Sequence, residues 1–171
     1  RGEIEKSQIL VKRFEDFLRE AGLGTSLGKA FNEAGQVRLG DTIVLCDDSK
    51  DLVASLRGKV RQYGVSNGTV VAQTKKLRRS GFDKLMDGVF LSEELGYEKP
   101  AKEFFDLVFQ EIHVPEKNRV LIVGDSLTSD IAGGNRAGIR TCWYNPGAQV
   151  NETGAKADYE IRNLQEIWEI I

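Results

Sequence analysis

Asp125 and Asp130 lie five positions apart in Gly124-Asp125-Ser126-Leu127-Thr128-Ser129-Asp130, directly after the apolar run VLIVG. An open α/β sheet binds ligands outside the carboxyl ends of its strands, where such acids would project. Two carboxylates there suit one hard cation, with Asp125 nearer the strand. The segment VRQYGV runs into Ser66-Asn67-Gly68-Thr69 at a helix start. A hydroxyl, main-chain N–H groups and the positive end of a helix dipole could meet a phosphate there. After DGVFLS the chain reaches Glu98-Lys99-Pro100, where Lys99 could neutralise a phosphoryl group as a point charge and Pro100 suits the first helical position. Taken singly, each element has a plainer reading: an Asn-Gly turn, a solvated lysine, a helix start rich in Asp, Ser and Thr. Taken in order at successive strand ends, they supply anion neutralisation, positioned donors and a magnesium (Mg2+) site, which phosphoryl transfer requires.

The elements that must position these groups follow from periodicity. Leu10, Phe14, Phe17, Leu18 and Ala21 recur on one helical face, which predicts a helix over residues 4–21 closing near Gly22. A short second helix is expected over 26–34. The stretch VRLGDTIVLCDD carries mixed signals, and DSKDLVASLRGK reads as a helix capped by Asp48 or Ser49. From residue 60 strands and helices alternate. VRQYGV, DGVFLS, VLIVG and RTCWY read as strands; 69–79, 101–112 and 129–137 read as helices, with a closing helix near 164–168. Such alternation predicts an α/β fold with a Rossmann-like parallel sheet between helices. VLIVG, apolar throughout, is expected to be a central strand covered on both faces.

Composition narrows the function. The 171 residues amount to one domain with a small appendage, and 40% hydrophobic with 29% charged residues is the usage of a folded globular chain. With 24 basic and 26 acidic residues and no basic block, no electrostatic footprint for a nucleic acid polymer or an anionic membrane is present. Lys75, Lys76, Arg78 and Arg79 read as a solvated helix face. No apolar run approaches a membrane span and RGEIEKSQIL has no secretory apolar region, so a cytoplasmic location is expected. Cys46, Cys142 and His113 are too few to hold zinc. No G-x-S-x-G elbow accompanies His113, which is read as a helix-end group.

The motifs VSNGT, YEKP and GDSLTSD, in that order, resemble the second, third and fourth motifs of the haloacid dehalogenase (HAD) superfamily of phosphatases. CWYNPG and ADYEIRNLQEI are similar to stretches of its pyrimidine 5′-nucleotidase-like branch. The resemblance implies that Ser66 and the Asn67 N–H bind phosphoryl oxygens and that Lys99 stabilises charge on the nucleophile and phosphoryl group. It implies that Asp125 binds magnesium directly, while Asp130 holds a metal-bound water or orients Lys99. The expected substrate is a small phosphorylated metabolite, a nucleoside monophosphate. Residues 1–40 resemble the later part of a helical cap, with the α/β core over 41–171.

One departure is large. The family's first motif, a strand ending in D-x-D that supplies the aspartate nucleophile, has no match in this sequence. In VLCDDSKD the acids are adjacent, so their side chains do not project to the same side, and Asp47 and Asp48 are expected to cap a helix or face solvent. The central first strand is therefore expected to be absent from these residues, leaving the strands before Ser66 and Asp125 unpaired with each other. These 171 residues alone are then expected to be inactive. Alternatives are a non-catalytic interaction module descended from such a phosphatase and, more remotely, a response-regulator receiver, which would leave two strands unused after EKP.

Overall fold

A computed structural model describes residues 6–114 and 116–171. Helices α1 (Lys6–Glu20) and α2 (Gly28–Leu39) pack as an antiparallel-type hairpin through a one-turn connection at Thr25–Leu27. The close approach explains two glycines: a Cβ at Gly28 would meet Glu15 Cγ at 2.5 Å, and one at Gly35 the Phe14 ring at 3.3 Å. Phe14 and Phe31 rings lie 6.3 Å apart between the two helices. The start expected for the first helix lies outside the described residues. The second runs to Leu39, beyond the expected end at 34, because Phe14 and the helix following Ser66 both give it surfaces to cover.

The remainder is α/β. Its elements are α3 (Ser49–Leu56), β1 (Tyr63–Ser66), α4 (Val70–Ser80), β2 (Gly88–Leu91), α5 (Ser92–Leu95) and α6 (Lys102–Ile112), then β3 (Leu121–Gly124), α7 (Ala132–Ala137), β4 (Arg140–Tyr144) and β5 (Tyr159–Ile161). Among the described residues all pairings are parallel; α4 supplies the crossover from β1 to β2 and α7 that from β3 to β4, whereas β4 reaches β5 through the irregular segment 145–158. Helix α4 ends as read, at Gly81 in the left-handed conformation with its N–H donating to Leu77 O. His113 ends α6 in the same conformation, with Nδ1 2.8 Å from Glu111 O, the helix-end role expected for it.

The strands form two sheets. β1 pairs with β2, and β3-β4-β5 form the other, so β1 and β3 are not hydrogen-bonded to each other. This agrees with the expectation that a central strand is absent from these residues. A cleft of about 480 Å³ lies between the facing edges, with Tyr63 and Val65 on one side, Leu121 and Val123 on the other, and Phe105 and Val108 of α6 below. The gap also revises the reading of VLIVG as fully covered: Val123 is 40% exposed because nothing pairs with that edge. Phe104, Phe105, Val108, Ile122, Ala137 and Ile139 make one core cluster; Leu52, Leu56, Cys142, Ile161 and Ile167 make a second. Burial pushes the Cys142 thiol up to about 11, so it stays protonated and acts as core.

Several local readings change. Pro100 precedes the α6 N-cap, Ala101, and does not occupy the first helical position. β5 and the short α5 were not read as elements, and the closing segment Leu164–Glu169 is a 3₁₀ helix. Asp47 neither caps α3 nor faces solvent: its carboxylate accepts from Tyr144 Oη at 2.7 Å and from Leu164 N at 3.1 Å, satisfying an N–H at the start of that 3₁₀ helix. Asp48 does precede α3, but its side chain makes no cap hydrogen bond. Lys75 and Arg79 are not merely solvated, since both pair with Asp41 just beyond α2 and Lys75 Nζ donates to Val37 O.

Candidate active site

Three strand-end segments meet at one end of the cleft. At the end of β1, Ser66 Oγ accepts from Gly68 N–H at 3.0 Å, while its own proton has no acceptor among the described residues. The hydroxyl is thus held by a tight turn and keeps a donor for a ligand. The helix dipole contributes less directly than the sequence implied. Thr69 is the α4 N-cap, but its hydroxyl donates to Gln36 Oε1 on α2 at 2.7 Å, and the first N–H of α4, from Val70, is taken by the Glu93 carboxylate at 2.6 Å.

Lys99, on the loop between α5 and α6, is 9% exposed. Its Nζ donates to Val65 O at 2.9 Å and to Asp130 Oδ1 at 2.7 Å. A buried ammonium without partners would be costly, so these two acceptors fix where the charge sits. The cation lies beside the main chain that leads into Ser66.

After β3 the chain makes a wide π-type turn over Leu127–Ile131, where Ile131 N–H reaches back five residues to Ser126 O. This accounts for the five-residue spacing of the acids, and it displaces the expected start of the helix at 129. The turn folds Asp130 back under Gly124, where a Cβ at 124 would collide with the Asp130 carboxylate; only glycine leaves that space. Asp130 Oδ2 accepts from Ser126 N–H at 3.2 Å, so both its oxygens have protein partners. Asp125 differs. It is exposed, no protein donor engages its carboxylate among the described residues, and its main-chain oxygen accepts from Trp143 Nε1 at 3.1 Å.

The sequence-derived residues Ser66, Asn67, Lys99 and Asp130 therefore come together through hydrogen bonds centred on Lys99, and Asp125 stands at the same strand end as Asp130. Gln36, Glu93 and Trp143 were missed. Glu93 follows a strand end and could have been found by that position; Gln36 and Trp143 are set by contacts distant in sequence. Among the described residues no cluster of three Asp, Glu, His or Cys side chains could hold a metal alone. Magnesium needs fewer, since it keeps several waters and takes one or two carboxylates with substrate phosphate. One uncommitted carboxylate at Asp125 fits that donor set.

The profile for haloacid dehalogenase-like hydrolases matches residues 4–138. The chain belongs to this family. It is 36% identical to the HAD-hydrolase YfnB of Bacillus subtilis over 99% of its length, covering 72% of that protein. The crystal structure of YfnB, described as bound to magnesium and revealing interdomain movement, superposes with a TM-score of 0.89, covering 99% of this chain and 73% of that one. The pyrimidine 5′-nucleotidase YjjG of Escherichia coli is 31% identical over 99% of the chain and 74% of its own length. The pyrimidine 5′-nucleotidase PynA of Streptococcus pneumoniae is 42% identical over 61% of the chain and 44% of its own length. These relatives place the chain in the nucleotidase-like branch of HAD phosphatases, and magnesium is general to HAD enzymes. Among the described residues no helix is long and apolar enough to cross a membrane.

Proposed function

We propose that this chain is the larger part of a magnesium-dependent phosphomonoesterase that acts through an aspartyl-phosphate on a nucleoside monophosphate. The observation that carries the reading is the Lys99 ammonium, buried between Val65 O and Asp130 beside Ser66. In this reading Ser66 Oγ and the Asn67 N–H donate to phosphoryl oxygens, and Lys99 balances charge as the nucleophile and phosphoryl group approach. Asp125 would be the direct magnesium ligand, since its carboxylate is uncommitted, and Asp130 would orient Lys99. Bound there, magnesium would offset negative charge on the phosphoryl oxygens.

The nucleophile belongs to a strand outside these 171 residues, and the cleft between β1 and β3 is its seat. Neighbouring strands lie ~4.7–4.9 Å apart, and among the described residues neither facing edge pairs with another strand, which leaves a place for one parallel strand between them. Residues 1–40 form part of a helical cap and 41–171 the core. The nucleotide assignment follows from YjjG and PynA, which are named for that activity.

The test is phosphate release from uridine, thymidine and adenosine monophosphates, with and without magnesium, by a protein that joins this chain to its D-x-D strand. Release from the two pyrimidine nucleotides that stops on chelation is expected. Equal turnover with chelator present would overturn the mechanism, and release from none of the three nucleotides would overturn the substrate.

A further inference from the structure

The phosphate-site expectation for residue 67 concerns its main-chain N–H, but the side chain has a separate set of contacts. Asn67 Nδ2 donates to Lys99 O at 2.8 Å, and Asn67 Oδ1 accepts from Lys99 N–H at 2.8 Å. One carboxamide thus binds both main-chain groups of one residue, as a neighbouring strand would. The orientation is fixed by the partners, because a flipped amide would oppose donor to donor and oxygen to oxygen. The residues that hold Lys99 at the end of β1 flank Ser66: Val65 O takes the ammonium, and Asn67 takes the backbone.

We propose that Asn67 is a positioning residue, whose carboxamide clamps the Lys99 main chain and so fixes the ammonium against Ser66. The proposal rests on the reading of Ser66 and Lys99 as a phosphate site. Without the clamp, the loop before α6 would be tied to β1 by the Lys99 head group, whose long side chain has many rotamers. With it, the backbone and head group are both anchored to the same strand end, and the cation is in place before a phosphate arrives.

Asn67→Asp gives a test that a general loss of folding cannot imitate, since it is close in shape and changes one hydrogen-bonding atom. As a carboxylate it still accepts from Lys99 N–H but opposes Lys99 O with a second acceptor. Once protonated, it donates to that oxygen again. The opposed carbonyl should raise the introduced acid above the ordinary ~3.9 of aspartate. Inorganic phosphate is titrated into the 171-residue chain, followed by the main-chain NMR signals of Ser66 and Lys99, together with hydrogen exchange at the Lys99 amide. At about pH 8, Asn67→Asp should bind phosphate about tenfold more weakly than the unaltered chain, a difference worth ~1.4 kcal/mol. The gap should close towards about pH 5, while Asn67→Ala stays weak throughout and loses Lys99 protection. Equal affinity of the Asp variant at about pH 8, or a deficit that does not change with pH, would overturn the clamp. If the unaltered chain shows no phosphate response but Asn67→Ala still loses Lys99 amide protection, the phosphatase reading fails and the clamp stands.

Discussion

The Lys99 ammonium and the Asp130 carboxylate meet at 2.7 Å although they serve strands of two separate sheets, Lys99 following β2 and Asp130 following β3. With 8% and 10% of their side chains exposed, the two charges are shielded from water and depend on each other. Replacing one alone leaves the other buried and unpaired, which costs about 3–5 kcal/mol. Lys99→Met should therefore lower stability in urea by that order, and adding Asp130→Leu should recover much of the loss. A double variant no more stable than Lys99→Met would show that the pair does not link the two halves.

Asp125 and Asp130 should separate in metal binding. Asp130 has both oxygens engaged by Lys99 and Ser126, whereas the Asp125 carboxylate is uncommitted among the described residues. Asp125→Asn should weaken magnesium affinity in calorimetric titration by about tenfold or more, because ligand charge drives binding of a hard cation. Asp130→Asn should weaken it less. The reverse ranking would reassign the direct ligand.

Tyr144 ties the protein to a definite alkaline behaviour. The hydrogen bond to Asp47, with burial added, raises the phenol well above its ordinary value. The unfolded chain releases this proton near pH ~10 and the folded chain only at higher pH. The stabilisation is therefore whole below about pH 10 and is lost as pH rises beyond it. Tyr144→Phe should be less stable than the parent at neutral pH and should show a flatter loss of stability in alkali. Parallel stability curves for the two proteins above about pH 10 would contradict the coupling.

Gly134 marks where α7 lies against the sheet. A Cβ there would fall 2.5 Å from Thr141 Cγ2 and 2.7 Å from Ile122 Cγ2, both on buried strand residues. Gly134→Ala should destabilise by about 1–3 kcal/mol through overpacking, despite the better helix propensity of alanine. Thermal unfolding that matches or exceeds the parent would show that the layer has slack.

The residues legible in the sequence were those set by local order along the chain. Ser66, Lys99 and Asp125 each follow a strand recognisable from its apolar run, so their arrival at one edge of a parallel arrangement follows from the alternation of strand and helix. The absence of a ladder between β1 and β3 was legible too, once D-x-D was found missing. What escaped depends on contacts between distant positions. Asp47 meets Tyr144, 97 residues away, and residue spacing in CDDS says nothing of that partner. The same holds for the Asn67 carboxamide and Lys99, 32 residues apart, where the sequence pointed only to the Asn67 main-chain N–H or to an Asn-Gly turn. β5 has three residues, too few for a periodic signal, and exists through pairing with β4. The π-type turn at 127–131 escaped because Ser and Asp near a helix start favour an ordinary cap just as well.

The central claim is that a phosphatase site is built here except for a nucleophile-bearing strand seated between β1 and β3. It is tested most directly by measuring phosphate release from uridine monophosphate by the 171-residue chain, alone and co-expressed with a segment that carries a D-x-D strand. The account predicts no turnover by the chain alone, magnesium-dependent turnover by the pair, and loss of that turnover when the D-x-D aspartates of the added segment are changed to asparagine. Magnesium-dependent turnover by the chain alone that disappears with Ser66→Ala would contradict it.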